Sequence, residues 1–495
     1  MSKQKTDGVP RFRVSAHAQS ISRRTVLRAA AATAAMAAVP AWAKRPETVD
    51  VLVLGAGMSG LHAARMLQAA GVTVAVLEGS GRIGGRCWTA RDVEGSPEFG
   101  AAQIGFGYGR VRANASDLNV ALDPPAAGAM GETRLPQTAV SIGGAPPTVD
   151  WANSPMNRLA ADEKSLAPLA LFTHFLLKDD PLKDLLDWRK PEFQSIDRMS
   201  LREYLGRQGA SPEALRLMDV SVPGWTLDTG NALDFLRKNH YYFWDGGHGP
   251  YSVVRNGTST LIDAMGASLK RPAELDKIVT HIDAGPHAVT VTCADGSLYR
   301  GRSCINTIPP TVLKDIPITG AVAARQREAW RRQRSDQSIQ ICFEFTEPFW
   351  EKDGLPANMW TDGPLEFIAH TPSITNPNGI LRAYINGSGV EPWNRLSDTQ
   401  LRDKALSELV RLRPAAAGVV KVGYVQNWST YPFSKGHIAY FLPGDIERYA
   451  DLVGQPIGAM YFAGEHNCRV TAGIEGACEA AENAVISVLE VLGKG

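Results

Sequence analysis

Cysteine is scarce in this chain and badly placed for the work cysteines do. Six residues (Cys87, Cys293, Cys304, Cys342, Cys468 and Cys478) are scattered over 495 positions, with no C-x-x-C pair. That spacing suits neither a zinc site nor a disulfide scaffold, so the thiols read as small buried apolar groups. No metal-binding cluster and no Ser-His-Asp constellation stands in usable order. An excess of one charge is missing too. Lys and Arg number 52 and Asp and Glu 51, so no overall field draws the molecule to nucleic acid or acidic lipid. Beyond the N-terminus there is no long apolar run, and no stable membrane insertion is expected. Internal repeats and other low-complexity tracts are absent. What is left is 44% apolar and 21% charged, ordinary for a globular enzyme, in a chain too long for one core.

The N-terminus reads as an address rather than as structure. "SRRTVLRAAAATAAMAAVPAWAK" has paired Arg23 and Arg24, an alanine-rich stretch, then Ala41-Trp42-Ala43. This is the order of a twin-arginine export signal over residues 1–43. Its apolar part is too short and too alanine-rich for a good membrane span. The route carries folded proteins, often with a cofactor inserted, so a periplasmic location is expected.

The clearest local structure follows. Val49 to Leu54 is an apolar run suited to a strand buried on both faces. Gly55-Ala56-Gly57-Met58-Ser59-Gly60 comes next, then a helical pattern to Ala70, then a second strand ending at Leu77 with Glu78 at its tip. In such a βαβ unit Gly55 makes the tight turn, Gly57 lets a pyrophosphate approach backbone, and Gly60 lets helix and strand pack closely. The helix N-terminus offers unpaired N–H groups to phosphate. Glu78 is placed to accept from ribose hydroxyls, and dinucleotide binding is the reading.

Further on, "SLAPLALFTHFLLKDDPLKDLLDW" reads as helical, and Ser200 and Ser211 read as N-caps. Residues 277–310 alternate as three strands, with turns at Ala284-Gly285 and Asp295-Gly296. "SIQICFEFTEPFW", "AYINGSG" and "VVKVGYVQNW" read as further strands, and "DTQLRDKALSELVRL" as a helix. Near the end, "YFAGEHNCRVTAGIEGACEAAENAV" reads as strand, glycine turn, loop, and a glycine pair opening a helix. The aromatic stretch "HYYFWDGGHG" suits either a substrate cavity or an interface core.

After Glu78 and Gly79, Gly84-Gly85-Arg86 lets the chain pass close to a cofactor, with Arg86 able to reach a phosphate. "EFGAAQIG" is another small-residue stretch. Together with "INTIPPTVL" and the C-terminal segment, these motifs resemble the flavin-containing amine oxidase family, over most of residues 49–495. The resemblance implies an α/β fold: a Rossmann-like FAD domain (44–110, 250–320 and 455–495) interleaved with an α+β substrate domain (111–249 and 321–454). It implies that Glu78 binds the adenosine ribose and Arg86 lies near the pyrophosphate. Gly100, Ala101, Ala102 and Gln103 would line the flavin side, and Val279 would meet the adenine. Gly464 and Glu465 would hold the ribityl–phosphate region. Gly473 and Ile474 would begin a helix aimed at the flavin N1 edge, and Trp428 would pack beside the ring.

The chain departs from the family pattern at several places. Gln340 stands where the family usually carries a lysine that holds a water near the flavin. A glutamine supplies no positive charge, so slow reaction with oxygen is expected, with electrons passing to a periplasmic cytochrome or quinone. Ile438 and Ile474 replace two aromatic side chains that frame the flavin face in amine-metabolising members. Gln103 replaces an arginine that grips the substrate carboxylate in amino-acid oxidases, unless another such as Arg255 substitutes. His437 stands where some relatives carry a cysteine bonded to the flavin. The implied activity is FAD-dependent removal of a hydride from a C–H next to nitrogen of an amine, the imine then hydrolysing. A flavin desaturase or dehydrogenase acting on a C–C or C–O bond, a non-catalytic FAD-binding protein, and a nicotinamide-only dehydrogenase remain alternatives.

Overall fold

The computed structural model describes residues 46–124, 137–220, 222–371, 373, 375, 376 and 378–494. The export signal expected over 1–43 lies outside them. Two large sheets organise residues 46–494. The first has seven strands and takes in Glu47–Leu54, Val74–Leu77 and Leu298–Asn306 as parallel neighbours. Met460–Phe462 pairs parallel with Leu298–Asn306, and Val279–Ala284 and Val289–Cys293 complete the expected three-stranded antiparallel meander. The register is what matters for function. Leu54 stands opposite both Leu77 and Asn306, and Asn306 opposite Phe462. Four parallel strands therefore end at one level, and the residues that follow them (Gly55, Glu78, Thr307 and Ala463-Gly464) gather at a single edge. In open sheets of this kind ligands bind beyond the carboxyl ends of the strands.

Helices bury one face of strand Glu47–Leu54. Helix Met58–Ala69 and the C-terminal helix Gly473–Leu492 share one apolar cluster with Val51 and Val53. Their contact is made of small side chains: Ala63, Ala64, Ala477, Ala481 and Ala484 are all buried there. Helix Gly109–Asp117 joins the same cluster through Val111 and Ala115.

The second sheet has six strands, in the order Val420–Asn427, Ser338–Phe345, Ile380–Asn386, Phe367–Thr371, Asn358–Thr361 and Thr138–Ser141. Strand alternation divides its faces. Ile339, Ile341, Phe343, Leu381, Ala383 and Ile385 form an apolar face packed with Leu401, Ala405 and Leu409 of helix Asp398–Leu412. Gln340 pairs with Tyr384, and Cys342 with Arg382, on the opposite face.

Local signals place several helix starts. Ser200 and Ser211 cap as expected, accepting from the backbone N–H of Glu203 and Ala214. Ser397 and Gln400 make a reciprocal capping box at the start of Asp398–Leu412. The long helix read across "SLAPLALFTHFLLKDDPLKDLLDW" is corrected. Only Pro168–Leu177 is α-helical, with a short 3-10 turn at Asp187–Arg189. Pro181 disfavours helix in the residue before it, and Asp187 Oδ2 captures the N–H groups of Lys183 (2.7 Å) and Asp184 (2.9 Å). The segment "HYYFWDGGHG" is helical through His248, at the end of helix Ala232–His248, despite its glycines at 246 and 247.

Candidate functional site

A cavity of about 980 Å³ opens at the common end of the parallel strands and runs on to the polar face of the second sheet. It sits at the top of the size range for small-molecule sites. Gly55, Gly57, Met58, Ser59, Glu78 and Gly79 line it, with Arg86, Gly100, Ala101, Ala102 and Gln103. Val279, Gly464, Glu465, Gly473 and Ile474 line it from the other ends of the chain, and Gln340 and Ile438 from the second sheet side.

Two sequence-predicted residues are not on its surface. Gly60 lies behind it. A Cβ there would stand 1.9 Å from the Gly55 carbonyl oxygen, so only glycine permits this helix to meet this turn. Trp428, expected beside the ring, is wholly buried behind the lining. Its Nε1 donates to the Phe99 carbonyl (2.8 Å), and its ring lies nearly parallel to that of His437 at 6.3 Å. It supports the wall, and the cavity face here belongs to His437.

Each lining element is held by an identifiable bond. Glu78 is almost fully buried, with Oε2 accepting from Ala56 N–H (2.8 Å) and Oε1 from the N–H and hydroxyl of Ser80. A carboxylate has about four acceptor positions, so one on Glu78 stays open to a ligand. Gly84 N–H donates to Ala56 O, which sets the second glycine loop against the first. Gly100 presses on that loop. A Cβ there would meet Arg86 O at 1.9 Å.

Arg86 and Glu465 were read separately, and the fold joins them. Arg86 Nη1 donates to Glu465 Oε1 (2.7 Å) and to the His437 carbonyl. Burial alone would raise the Glu465 carboxyl, but Arg86, His466 and Lys238 outweigh it and hold it low. One ion pair thus ties three segments more than 340 residues apart in part of their spacing, and it does so at the cavity wall.

Two acids buried in the C-terminal helix position its start. Glu479 accepts from the N–H groups of Arg469, Val470 and Thr471, holding the loop that leads into Gly473. Glu475 accepts from Arg110 N–H and Val111 N–H (both 3.1 Å), at the start of helix Gly109–Asp117. Burial pushes its carboxyl up, against those bonds.

The arrangement suits a dinucleotide on grounds of structure alone. Helices Met58–Ala69 and Gly473–Leu492 both start without a side-chain cap, and both starts line the one cavity. Their first N–H groups and positive dipole ends are therefore available to anionic atoms. Ser59 Oγ is buried there with no partner. A model of the family described as flavin containing amine oxidoreductase matches residues 58–489.

The chain belongs to that family.

Its cofactor is FAD. The L-amino-acid oxidase of Siganus canaliculatus is 28% identical over 470 residues, covering 88% of this chain and 85% of the relative. The flavin-containing amine oxidase B of Homo sapiens is 25% identical over 475 residues, covering 90% and 87%. The structure of cyclohexylamine oxidase from Brevibacterium oxydans IH-35A superposes with a TM-score of 0.71 at 20% identity, over 90% of this chain and 99% of that one, and shares its fold.

Within this family frame, the remaining predicted positions can be placed. Gln340 is 4% exposed, and its Nε2 donates to Phe99 O (3.1 Å), leaving Oε1 without a partner. Phe99 O thus receives both Gln340 and Trp428. Ile438 is held by Asp336, whose N–H donates to Ile438 O (2.8 Å) and whose carboxylate accepts from Ile438 N–H. Arg255 cannot stand in for a carboxylate-gripping arginine as it lies. Its guanidinium is engaged with Asp123, through Nε at 2.9 Å and Nη2 at 2.5 Å. Of the aromatic stretch, Tyr242 lines the cavity, Tyr241 is core beside Tyr108, and Phe243 is exposed.

Sequence reasoning missed Arg382 and Glu98. Both line the cavity; Arg382 is buried, and Glu98 is half-buried with its Oε2 out of reach of solvent. The available signal for Arg382 was one charge inside the apolar strand "ILRAYIN". All six cysteines are free and buried, as their spacing suggested. Among the described residues there is no cluster able to hold a metal ion, and no helix long and apolar enough to cross a membrane.

Proposed function

We propose that this FAD-dependent amine oxidoreductase is a periplasmic enzyme that oxidises a small amine at a carbon next to its nitrogen. What bound FAD supplies is a two-electron acceptor for the hydride leaving that carbon. The chain's own residues bind, orient and exclude water. The observation carrying the reading is the convergence of two uncapped helix starts on a cavity that continues to the second sheet. N–H groups at the Gly473 end favour negative charge there, in a setting where burial strengthens such interactions. The Arg86–Glu465 pair holds the lining close to that helix. Gln340 offers a buried amide oxygen able to hold a water, without a positive charge.

That missing charge favours an acceptor other than oxygen, such as a cytochrome or quinone. The isoleucines at 438 and 474, in place of aromatic rings, favour a second reading in which a C–C or C–O bond is dehydrogenated. Anaerobic loss of the yellow absorbance, screened against amines, amino acids and alcohols, decides between the two. Bleaching by an amine supports the first reading, and bleaching only by alcohols or saturated acyl compounds overturns it. Export is tested by fractionating cells that carry the natural chain and an Arg23→Lys, Arg24→Lys variant. Equal distribution of the two overturns the twin-arginine route.

A further inference from the structure

Arg382 occupies an energetically costly placement. It is 7% exposed, and its Nε and Nη1 have no hydrogen-bond partner. Its guanidinium carbon lies 4.6 Å from the Tyr384 ring centre, a cation–π contact that offsets only part of the desolvation. A buried charge is normally paired. An acid within its electrostatic reach is Glu98. Glu98 Oε1 is taken by Thr89 Oγ1 (2.6 Å) and Thr258 N–H (2.7 Å), while Oε2 has no partner. Burial pushes the Glu98 carboxyl up, which weakens it as a counter-charge.

The unpartnered atoms are grouped. Gln340 Oε1, Thr371 Oγ1, Glu98 Oε2 and the two Arg382 nitrogens all belong to residues lining the one cavity. Gln340 and Arg382 share a sheet face. Arg382 is paired with Cys342, one two-residue step from the Gln340–Tyr384 pair. That step is roughly 7 Å along the strand. So many unmet polar groups lining one cavity call for a polar ligand that completes them.

We propose that Arg382 receives a carboxylate of the substrate, so that the amine oxidised here is an amino acid whose acid group is bound on the second sheet. This rests on the amine reading of the same cavity. A single negative charge matches a single guanidinium, and a dianion would meet Glu98 unfavourably. The position differs from Gln103, where the family's amino-acid oxidases carry their arginine. It also differs from Arg255, which Asp123 already occupies.

The test is calorimetric binding to the FAD-loaded enzyme, using carboxylates from acetate to phenylacetate, each with its neutral amide. Charge-assisted bonds to the two unpartnered Arg382 nitrogens predict a preference for acid over amide of at least ~10-fold. Arg382→Met is expected to bring that ratio close to one. Arg382→Lys, which keeps the charge but not the fork, is expected to lower it partly and serves if the Met variant fails to fold. Equal binding of acids and amides by the natural protein, binding of neither, or an unchanged ratio in both variants overturns the proposal. Bleaching by plain amines without any acid preference sinks this inference alone. Acid preference without bleaching by any amine sinks the amine reading instead.

Discussion

Acid should loosen this enzyme through one histidine. His466 is 8% exposed, and its Nδ1 has no partner. Its ring lies over Gly464, where a Cβ would stand 2.4 Å from the ring Cε1, so it presses directly on the cavity lining. Burial pushes its pKa down to about 4 from an ordinary 6.5, with Glu465 opposing and Arg86 assisting. The folded pKa is the lower one, so between pH 6.5 and 4 the unfolded chain binds a proton that the folded chain refuses. Stability from this group is complete above pH 6.5 and drains away as pH falls toward 4. Linkage puts the loss at about 2 kcal/mol by pH 5 and about 3 kcal/mol by pH 4. A His466→Gln variant cannot titrate there. Urea unfolding followed by tryptophan fluorescence at pH 7, 6 and 5 should show a steeper fall for the natural protein, with the two curves converging by about 2 kcal/mol. Acids remote from residue 466 titrate alike in both proteins and cancel in the difference, and the coupled Glu465 is held low by Arg86 and Lys238 in either. Equal slopes between pH 7 and 5 would refute the reasoning.

Other perturbations have equally definite outcomes. Gly60→Val should abolish FAD retention, read as flavin content after gel filtration, because its Cβ overlaps the Gly55 carbonyl. Asp234→Ala should cost about 3–5 kcal/mol in urea unfolding, since it leaves Arg237 and Lys238 buried without their shared carboxylate. Gln340→Lys should speed oxygen consumption roughly tenfold, equivalent to about 1.4 kcal/mol of barrier. An unchanged rate removes the case for a non-oxygen acceptor. Glu475→Gln should lose about 1–3 kcal/mol, since the N–H groups of Arg110 and Val111 then lose their charged acceptor, although Arg110 keeps its pair with Glu482.

The legible parts of this chain are those governed by neighbours in sequence. The turn from Leu54 through Gly60 to Glu78 was readable because each glycine answers a local backbone demand. The meander at 279–306 and the helix Asp398–Leu412 were readable because their periods of 2 and 3.6 are strong. The helical pattern does not continue through Pro181, because a proline and a backbone-capturing Asp187 override the period. The cavity lining from Gly55 to Ile474 came from motifs, yet the Arg86–Glu465 pair did not, since nothing in either segment names its partner.

By itself the amino-acid sequence determined the cofactor. Phosphate and ribose are bound by backbone geometry, and glycines at set spacings write that geometry into a short stretch of chain. Only the tertiary structure decided which side chains face the cavity. A strand's alternation says that Gln340 and Cys342 share a face, and that Arg382 and Tyr384 share one. It does not say whether that face meets a helix or a cavity. That follows from how two sheets and the helices between them fill space, a packing outcome summed over the whole chain. It is why Trp428 withdrew behind the wall and Arg382 came through it.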